Sequence, residues 1–287
     1  MWTKSFHMGI FEINFRLRPV EEIEPWGPEP HLHHFGLTHG CYWIRCGEEE
    51  LFRYTDEILN YWRNERLREG FTSNWFGEPY DDYQVMRIDD DLEDTLPYAL
   101  EPVPADVAGQ KKWIQKLRYG ARPPADVLRR FRERSGGQPS AIDDLIDRAT
   151  EWWNQRAVPV FHLKFNPVLH IWRTGNSIHI EYDTRDARDE GIRVWTAGRG
   201  AIELSVDEFV AAVRSFRERF VGEMRQRVDE VSQNWSRPGV QIDLEELARN
   251  QDVMERSLAA TCTQRAETDW KDAREAITEI ERRFAIE

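Results

Sequence analysis

Two histidines, two carboxylates and a tryptophan alternate along one stretch of the chain, LHIWRTGNSIHIEYD over residues 169–183. Thr174-Gly175-Asn176-Ser177 is a turn signal, because Gly and Asn tolerate the positive φ of a two-residue hairpin loop. With Gly175 and Asn176 at the tip, 173 pairs with 178, 172 with 179, 171 with 180 and 170 with 181. Paired residues share a face and the face alternates along each strand. Leu169, Ile171, Ile178, Ile180 and Tyr182 then form a core side, and His170, Trp172, His179, Glu181 and Asp183 form the other. A carboxylate beside an imidazole raises its pKa and orients the ring, which is what a general base requires. In an enzyme, His170 or His179 would be the base, with Glu181 orienting it or acting as the acid and Asp183 nearby. The same set also fits a polar sheet face partly covered by the middle helices, or a face that binds a protein.

Other clusters carry less chemistry. His31, His33, His34 and His39 invite a metal, but on a strand His31 and His33 share a face while His34 points away. Zinc ligands must converge at about 2.0–2.1 Å, and this spacing does not converge within one hairpin. The acidic run Ile88 to Asp94 lacks the Gly and terminal Glu of a calcium loop and reads as a solvated acidic loop. Gly198-Arg199-Gly200 is a turn without the strand–glycine loop–helix context of a dinucleotide site. There is no nucleophile elbow, phosphate loop, His-Glu-x-x-His or Cys-x-x-Cys. No metal and no cofactor is expected.

The elements that must hold these residues are legible in outline. Phe11, Ile13, Phe15 and Leu17 alternate with polar residues and Pro19 ends that strand. Residues 31–55 read as a three-stranded meander, with a loop at His39-Gly40 pairing 37 with 42 and 35 with 44. A second turn near Gly47-Glu48 brings Leu51 beside Ile44 and Phe52 beside Trp43. Thr55 caps a helix over 55–69 with Ile58, Leu59, Trp62 and Leu67 on its buried side. Residues 70–110 read as loop-rich and acidic. Short basic helices follow over 111–119 and 125–134, and Ser140 caps a helix to about Arg156. After Ser205 a long helix carries Phe209, Val213, Phe216, Phe220, Met224, Val228 and Val231 at helical spacing, a stripe that can cover the Leu169/Ile171 face. Beyond Arg237-Pro238-Gly239 come two helices, the last with Trp270, Ala273, Ile277, Ile280 and Phe284 on one side and Thr268 as its cap. The order of hairpin, strand and Thr/Ser-capped helix near 31–69 recurs at 168–233, which reads as two related β-plus-helix units.

Composition bounds the partners. The 287 residues carry a net charge of −13, with 32% charged, 40% hydrophobic and 12% aromatic residues, including 12 Trp. A chain this rich in aromatics folds, and a chain of this length buries roughly 75% of its extended surface. The charge repels nucleic acid and anionic membrane and favours basic partners. Cys41, Cys46 and Cys262 make no disulfide framework, and a reduced cytoplasm fits. No apolar run reaches the ~18 residues of a membrane span, and the first residues lack the features of a signal peptide.

Two segments, HLHHFGLTHGCYWI and IWRTGNSIHIEYDTRDARDEGIRVWTAGRGAIELSVDEFVAAVRSF, together resemble an uncharacterised bacterial family, a domain of unknown function common in actinobacteria. That family's pattern is an alternating strand ending in Pro, a Pro-Trp-Gly loop, Leu-His-Trp-Phe-Gly-Leu-Thr-Asp-Gly-x-Tyr-Trp-Ile, and a late Gly-Ile-x-Val-Trp-Thr-Ala before a helix. Pro19, Pro25 to Gly27, Leu32-His33, Phe35 to Thr38, Gly40, Tyr42 to Ile44 and Gly191 to Ala197 fit it. His34 stands where the pattern has Trp, and His39 where it has Asp. The resemblance implies an architecture and carries no activity or catalytic residues.

These readings converge on an α+β fold: antiparallel β meanders over 8–54 and 160–204, packed against helices 55–69, 140–156 and 206–233, with a C-terminal helical pair. The segments are 1–69, 70–159, 160–236 and 237–287, gathered into one globule. The expected function is an acidic cytoplasmic binding protein, an immunity- or antitoxin-like inhibitor of a basic partner protein. Its contacts would be Trp172, Trp43, Asp89, Asp90, Asp91, Glu93 and Asp186. The alternative is a small-molecule enzyme built on the His/Glu pair of the hairpin.

Overall fold

Alternating burial builds the first sheet. In β1 (Phe11–Leu17), Phe11, Ile13 and Phe15 are buried while Glu12 and Arg16 are exposed. The computed structural model describes residues 10–69, 79–111, 140–163, 165 and 167–284; the basic helices expected within 112–134 lie outside these. After Pro19 the chain reaches β2 (His31–Leu32), a single helical turn α1 (His34–Leu37), and then β3 (His39–Cys46). β3 pairs antiparallel with the whole of β1, Phe11 opposite Cys46 and Leu17 opposite Gly40. A side chain at position 40 would drive its Cβ into the Arg16 carbonyl, so the close pairing requires glycine. The other edge of β3 is shared by β4 (Glu49–Leu51), with Ile44 opposite Leu51, and β5 (Asp82–Gln84), with His39 opposite Gln84.

This arrangement corrects the expected meander at 35–44. Residues 34–37 form a helical turn that buries His34, Gly36 and Leu37 and closes with the Leu37 amide donating to the His33 carbonyl at 3.0 Å. His33 caps it, its Nδ1 accepting from the Gly36 amide at 3.0 Å. The full-length ladder with β1 outbids a three-pair hairpin. The turn at Gly47 brings Leu51 to Ile44 as expected, but Phe52 leaves the ladder with φ of 68°.

α2 (Asp56–Arg68) starts at Thr55, whose Oγ1 accepts from the Ile58 amide at 3.3 Å. Ile58 is buried, Leu59 and Trp62 are half-buried, and Leu67 is exposed rather than on the buried side. The acidic run is not a loop. It forms α3 (Met86–Ala99), whose Ile88, Leu92, Leu96 and Ala99 make a buried helical stripe. α4 (Ala105–Gly109) follows, and then α5 (Ser140–Asn154).

The second sheet consists of β6 (Val168–Thr174), β7 (Ser177–Asp183) and, beyond the small hairpin β8 (Arg188–Asp189) and β9 (Ile192–Arg193), β10 (Arg199–Ser205). All pairings are antiparallel, in the order β10-β7-β6. The hairpin register is the one the turn predicts: His170 opposite Glu181 and Trp172 opposite His179.

α6 (Val206–Asn234) begins with a capping box. Ser205 Oγ accepts from the Glu208 amide at 3.2 Å, and Glu208 Oε2 accepts from the Ser205 amide at 2.8 Å. All seven stripe residues from Phe209 to Val231 are buried. The helix lies against β1, with Phe209 5.5 Å from Phe11 and Phe220 5.4 Å from Phe15, and it also meets β7 and β10. One helix therefore covers the apolar sides of both sheets. Each Phe so buried contributes about 1.5–3 kcal/mol before entropy is counted.

Both C-terminal helices are present, and they take different partners. After β11 (Gln241–Ile242), which pairs with β2, α7 (Leu244–Ala260) packs on α6, while α8 (Trp270–Phe284) packs on α5. Asp269 Oδ1 accepts from the Asp272 amide at 2.9 Å in the first turn of α8. Thr268, the expected cap, bonds Glu101 instead. Glu101 Oε1 accepts from the Thr268 amide and from Trp270 Nε1, each at 3.0 Å, and Oε2 accepts from Arg156 Nη2 at 2.8 Å. Arg156 is fully buried, its guanidinium 5.0 Å from the Trp270 ring. The architecture is α+β with antiparallel sheets.

Candidate functional site

The hairpin does gather His170, Trp172, His179 and Glu181 on one side of the second sheet, and that side is roofed. His170 is 2% exposed and stacks on Trp153 of α5, ring centroids 4.2 Å apart and 13° from parallel. Trp172 stacks on His179 at 4.4 Å, and its Nε1 donates to Glu181 Oε1 at 3.3 Å. The Lys111 ammonium pairs with the Glu181 carboxylate and lies 4.7 Å from the Trp172 ring and 5.4 Å from that of Trp153. His179 Nε2 meets Thr174 Oγ1 at 2.6 Å, with Nδ1 3.8 Å from Glu203. At the strand end Asp183 pairs with Arg185 at 2.7 Å and Arg199 at 3.7 Å. Burial pushes its carboxyl up, but the Arg185 hydrogen bonds and both guanidinium charges outweigh that and hold it below the usual range. Asp186, just beyond, is exposed. A general base must reach the proton it takes; here the imidazoles lie among rings and ion pairs.

The carboxylates of α3 divide among three surroundings. Asp89 is buried and holds Arg217 of α6 in a two-point contact, 2.9 and 3.2 Å. Arg217 also donates to Thr261 and Ser257 and pairs with Glu93 at 2.6 Å. Burial pushes the Asp89 carboxyl up to about 6, against the pull of that guanidinium. Asp90 faces solvent. Asp91 lies 3.5 Å from His162 Nδ1, and His162 Nε2 lies 2.6 Å from the Tyr42 hydroxyl, with Tyr83 stacked on the imidazole at 5.1 Å. Burial, then Asp90, pushes Asp91 up to about 7; burial, then Arg87, lowers His162 to about 4. A neutral imidazole thus lies between a buried phenol, to which it is hydrogen-bonded, and a carboxyl whose affinity for a proton is raised. Nothing in the local sequence singles out His162; its setting comes from β3 and α3, both distant in the chain.

The polar side of the first sheet is more open. Trp43 is half-buried and stacks on Tyr80, centroids 4.4 Å apart and 9° from parallel. The Tyr80 hydroxyl donates to Glu50 at 3.0 Å, and burial, then this carboxylate, raises its pKa to about 12. Trp43 and Trp172 lie on different sheets and are not brought together. At the Cys46 end of β3 a groove of about 550 Å³ is lined by Glu48, Glu49, Glu50 and Asp56 with Arg45 and Arg53. Arg45 pairs with Glu12 and Arg53 with Glu50. Glu48, Glu49 and Asp56 have no ion-pair partner among the described residues.

The four N-terminal histidines scatter. His31 is exposed, His33 caps α1, His34 is buried against Gln251 at 3.1 Å, and His39 lies 3.2 Å from Asp82. Among the described residues no three His, Cys, Asp or Glu side chains converge to hold a metal ion, and no helix is long and apolar enough to cross a membrane.

Comparison with known proteins places the chain in a family without a known role. It belongs to the Family of unknown function (DUF5984), which matches residues 12–276. No curated protein and no solved structure matches it.

Proposed function

We propose that this member of DUF5984 is an acidic cytoplasmic binding protein that inhibits a basic partner protein, in the manner of a bacterial immunity or antitoxin protein. The observation that carries the reading is the groove at the end of the first sheet, where Glu48, Glu49 and Asp56 present carboxylates that no described cation neutralises. A net charge of −13 adds long-range attraction for a basic surface. Of the contacts expected from sequence, Asp89 and Glu93 are occupied by Arg217, and Trp172 is buried. The contact set therefore moves to the groove carboxylates, Asp90, Asp186 and the Trp43–Tyr80 stack. Acid–base catalysis at His170, His179 and Glu181 is the weaker reading, because Trp153 stacks on His170, Trp172 stacks on His179 and Lys111 pairs with Glu181.

A pull-down from the native cell at low and at moderate salt tests this. The expected result is a basic protein whose association slows steeply as ionic strength rises. Reversing charge at Glu48, Glu49 and Asp56 should release it. A small metabolite retained stoichiometrically, with no protein partner at either salt, would overturn the proposal in favour of an enzyme.

A further inference from the structure

We infer that the exposed aromatic corner formed by Trp26, His33 and Phe35 is where a cationic side chain of that basic partner docks; this rests on the reading above. Trp26 is 42% exposed, unusual for so large an apolar side chain. Its position is fixed from the backbone outward. The Trp26 amide donates to the His31 carbonyl at 2.9 Å, and the His31 amide donates back at 3.1 Å. The Gln241 amide then ties the adjacent Pro30 carbonyl at 2.8 Å. An exposed tryptophan held this firmly loses little freedom on binding, which is the property of an interface anchor.

The three rings form a corner. Trp26 stands edge-on to His33 at 4.7 Å and to Phe35 at 6.0 Å, while His33 and Phe35 lie within 22° of parallel at 6.2 Å. Ring faces so arranged attract cations through their quadrupoles. The chain already demonstrates the affinity, because the Arg87 guanidinium lies 4.9 Å from the Phe35 centroid. His33 stays neutral and so does not repel a cation: its Nδ1 accepts from the Gly36 amide, and burial, then His31, lowers its pKa. Glu246, in the first turn of α7, is close enough to act on His33 and supplies the negative charge a cation needs beside the rings.

The test uses the full chain, labelled at the tryptophan indoles and histidine rings, titrated with an acetylated oligo-arginine peptide at low and at moderate salt. Trp26 and His33 signals should move saturably, and Trp26→Ala should weaken binding about tenfold. Arg87→Ala, which vacates the Phe35 face, should tighten it. Glu48→Lys/Glu49→Lys, at the other end of β3, should leave the Trp26 shifts in place. Peptide binding that leaves Trp26 and His33 unmoved, or no binding at either salt, overturns the docking site, whatever the pull-down recovers. Movement at Trp26 with no basic protein recovered from the cell would keep the site and end the inhibitor reading. Should Trp26→Ala not fold, the shifts in the unaltered chain decide alone.

Discussion

Each sheet turns an apolar side toward α6 and a polar side away from it, and the two polar sides differ in what happens next. On the second sheet, Trp153 comes down on His170 and Lys111 neutralises Glu181, so that His170 and Trp172 are buried and His179 and Glu181 half-buried. On the first sheet, Trp43 finds only Tyr80 as a stacking partner among the described residues, and the Glu12, Arg45 and Arg53 side chains are 44–50% exposed. The difference teaches that residue types on a strand face do not decide whether the face is chemistry or packing. A flat imidazole, an indole and a carboxylate can pack together as well as they can catalyse, provided a cation and a ring arrive to complete them.

Truncating the ring that seals the second sheet should have the largest effect. Trp153→Ala should cost about 3–5 kcal/mol, the range for removing a fully buried aromatic, read as a lowered midpoint in urea unfolding. If it costs no more than Trp43→Ala, the distinction between the sheets fails. Glu181→Gln comes next: leaving the Lys111 ammonium with a weaker acceptor should cost roughly 1–3 kcal/mol, measured in the same way. On the first sheet, Trp43→Ala should lose about 0.5–1.5 kcal/mol, the worth of an aromatic pair, and thermal melts with and without the substitution will show it.

A pH-dependent effect lies at the seam, where His162, in the connection into the second sheet, meets Tyr42 of the first. Asp91, at about 7 in the folded chain, is raised from an ordinary 3.8. Its contribution is complete below about pH 4 and is lost as pH rises toward 7, because the unfolded carboxyl ionises first. Asp91→Asn should therefore gain stability over the parent as pH climbs through that window. Asp183, held low chiefly by Arg185 against its burial, should show the opposite sign, with stability lost as pH falls. Matching slopes for Asp91→Asn and Asp183→Asn in pH-dependent melts would contradict both assignments.

What could be read in advance was local. The turn at Gly175-Asn176 fixed the register of His170 and Glu181, and Ser205 with Glu208 marked the start of α6, because those signals lie within a few residues. What escaped was non-local. The α3 carboxylates looked solvated because Arg217, 128 positions away, was invisible beside them. β3 chose β1 over its neighbour, and the roof over His170 depends on a helix whose Trp153 could as well have faced elsewhere. Of the site, the hairpin face was legible and its cover was not; the acidic groove over residues 45–56 and the corner of Trp26, His33 and Phe35 are local in sequence, but no residue pattern there tells which side chains the packing leaves open.

The Glu101 carboxylate that gathers Arg156, Thr268 and Trp270 also sets an order of assembly. Its last two partners lie 167 and 169 positions downstream, so a chain emerging from the ribosome makes Glu101 long before they exist. Arg156 can reach the carboxylate first, but the Trp270 ring that completes its shelter comes only with the last helix. Until then Trp153 of α5 can pack on His170 and Trp172, but Trp152 lacks the Trp270 ring. The sheet-facing side of α5 can thus be covered before synthesis ends, while the side that carries Trp152 is closed only when α8 arrives.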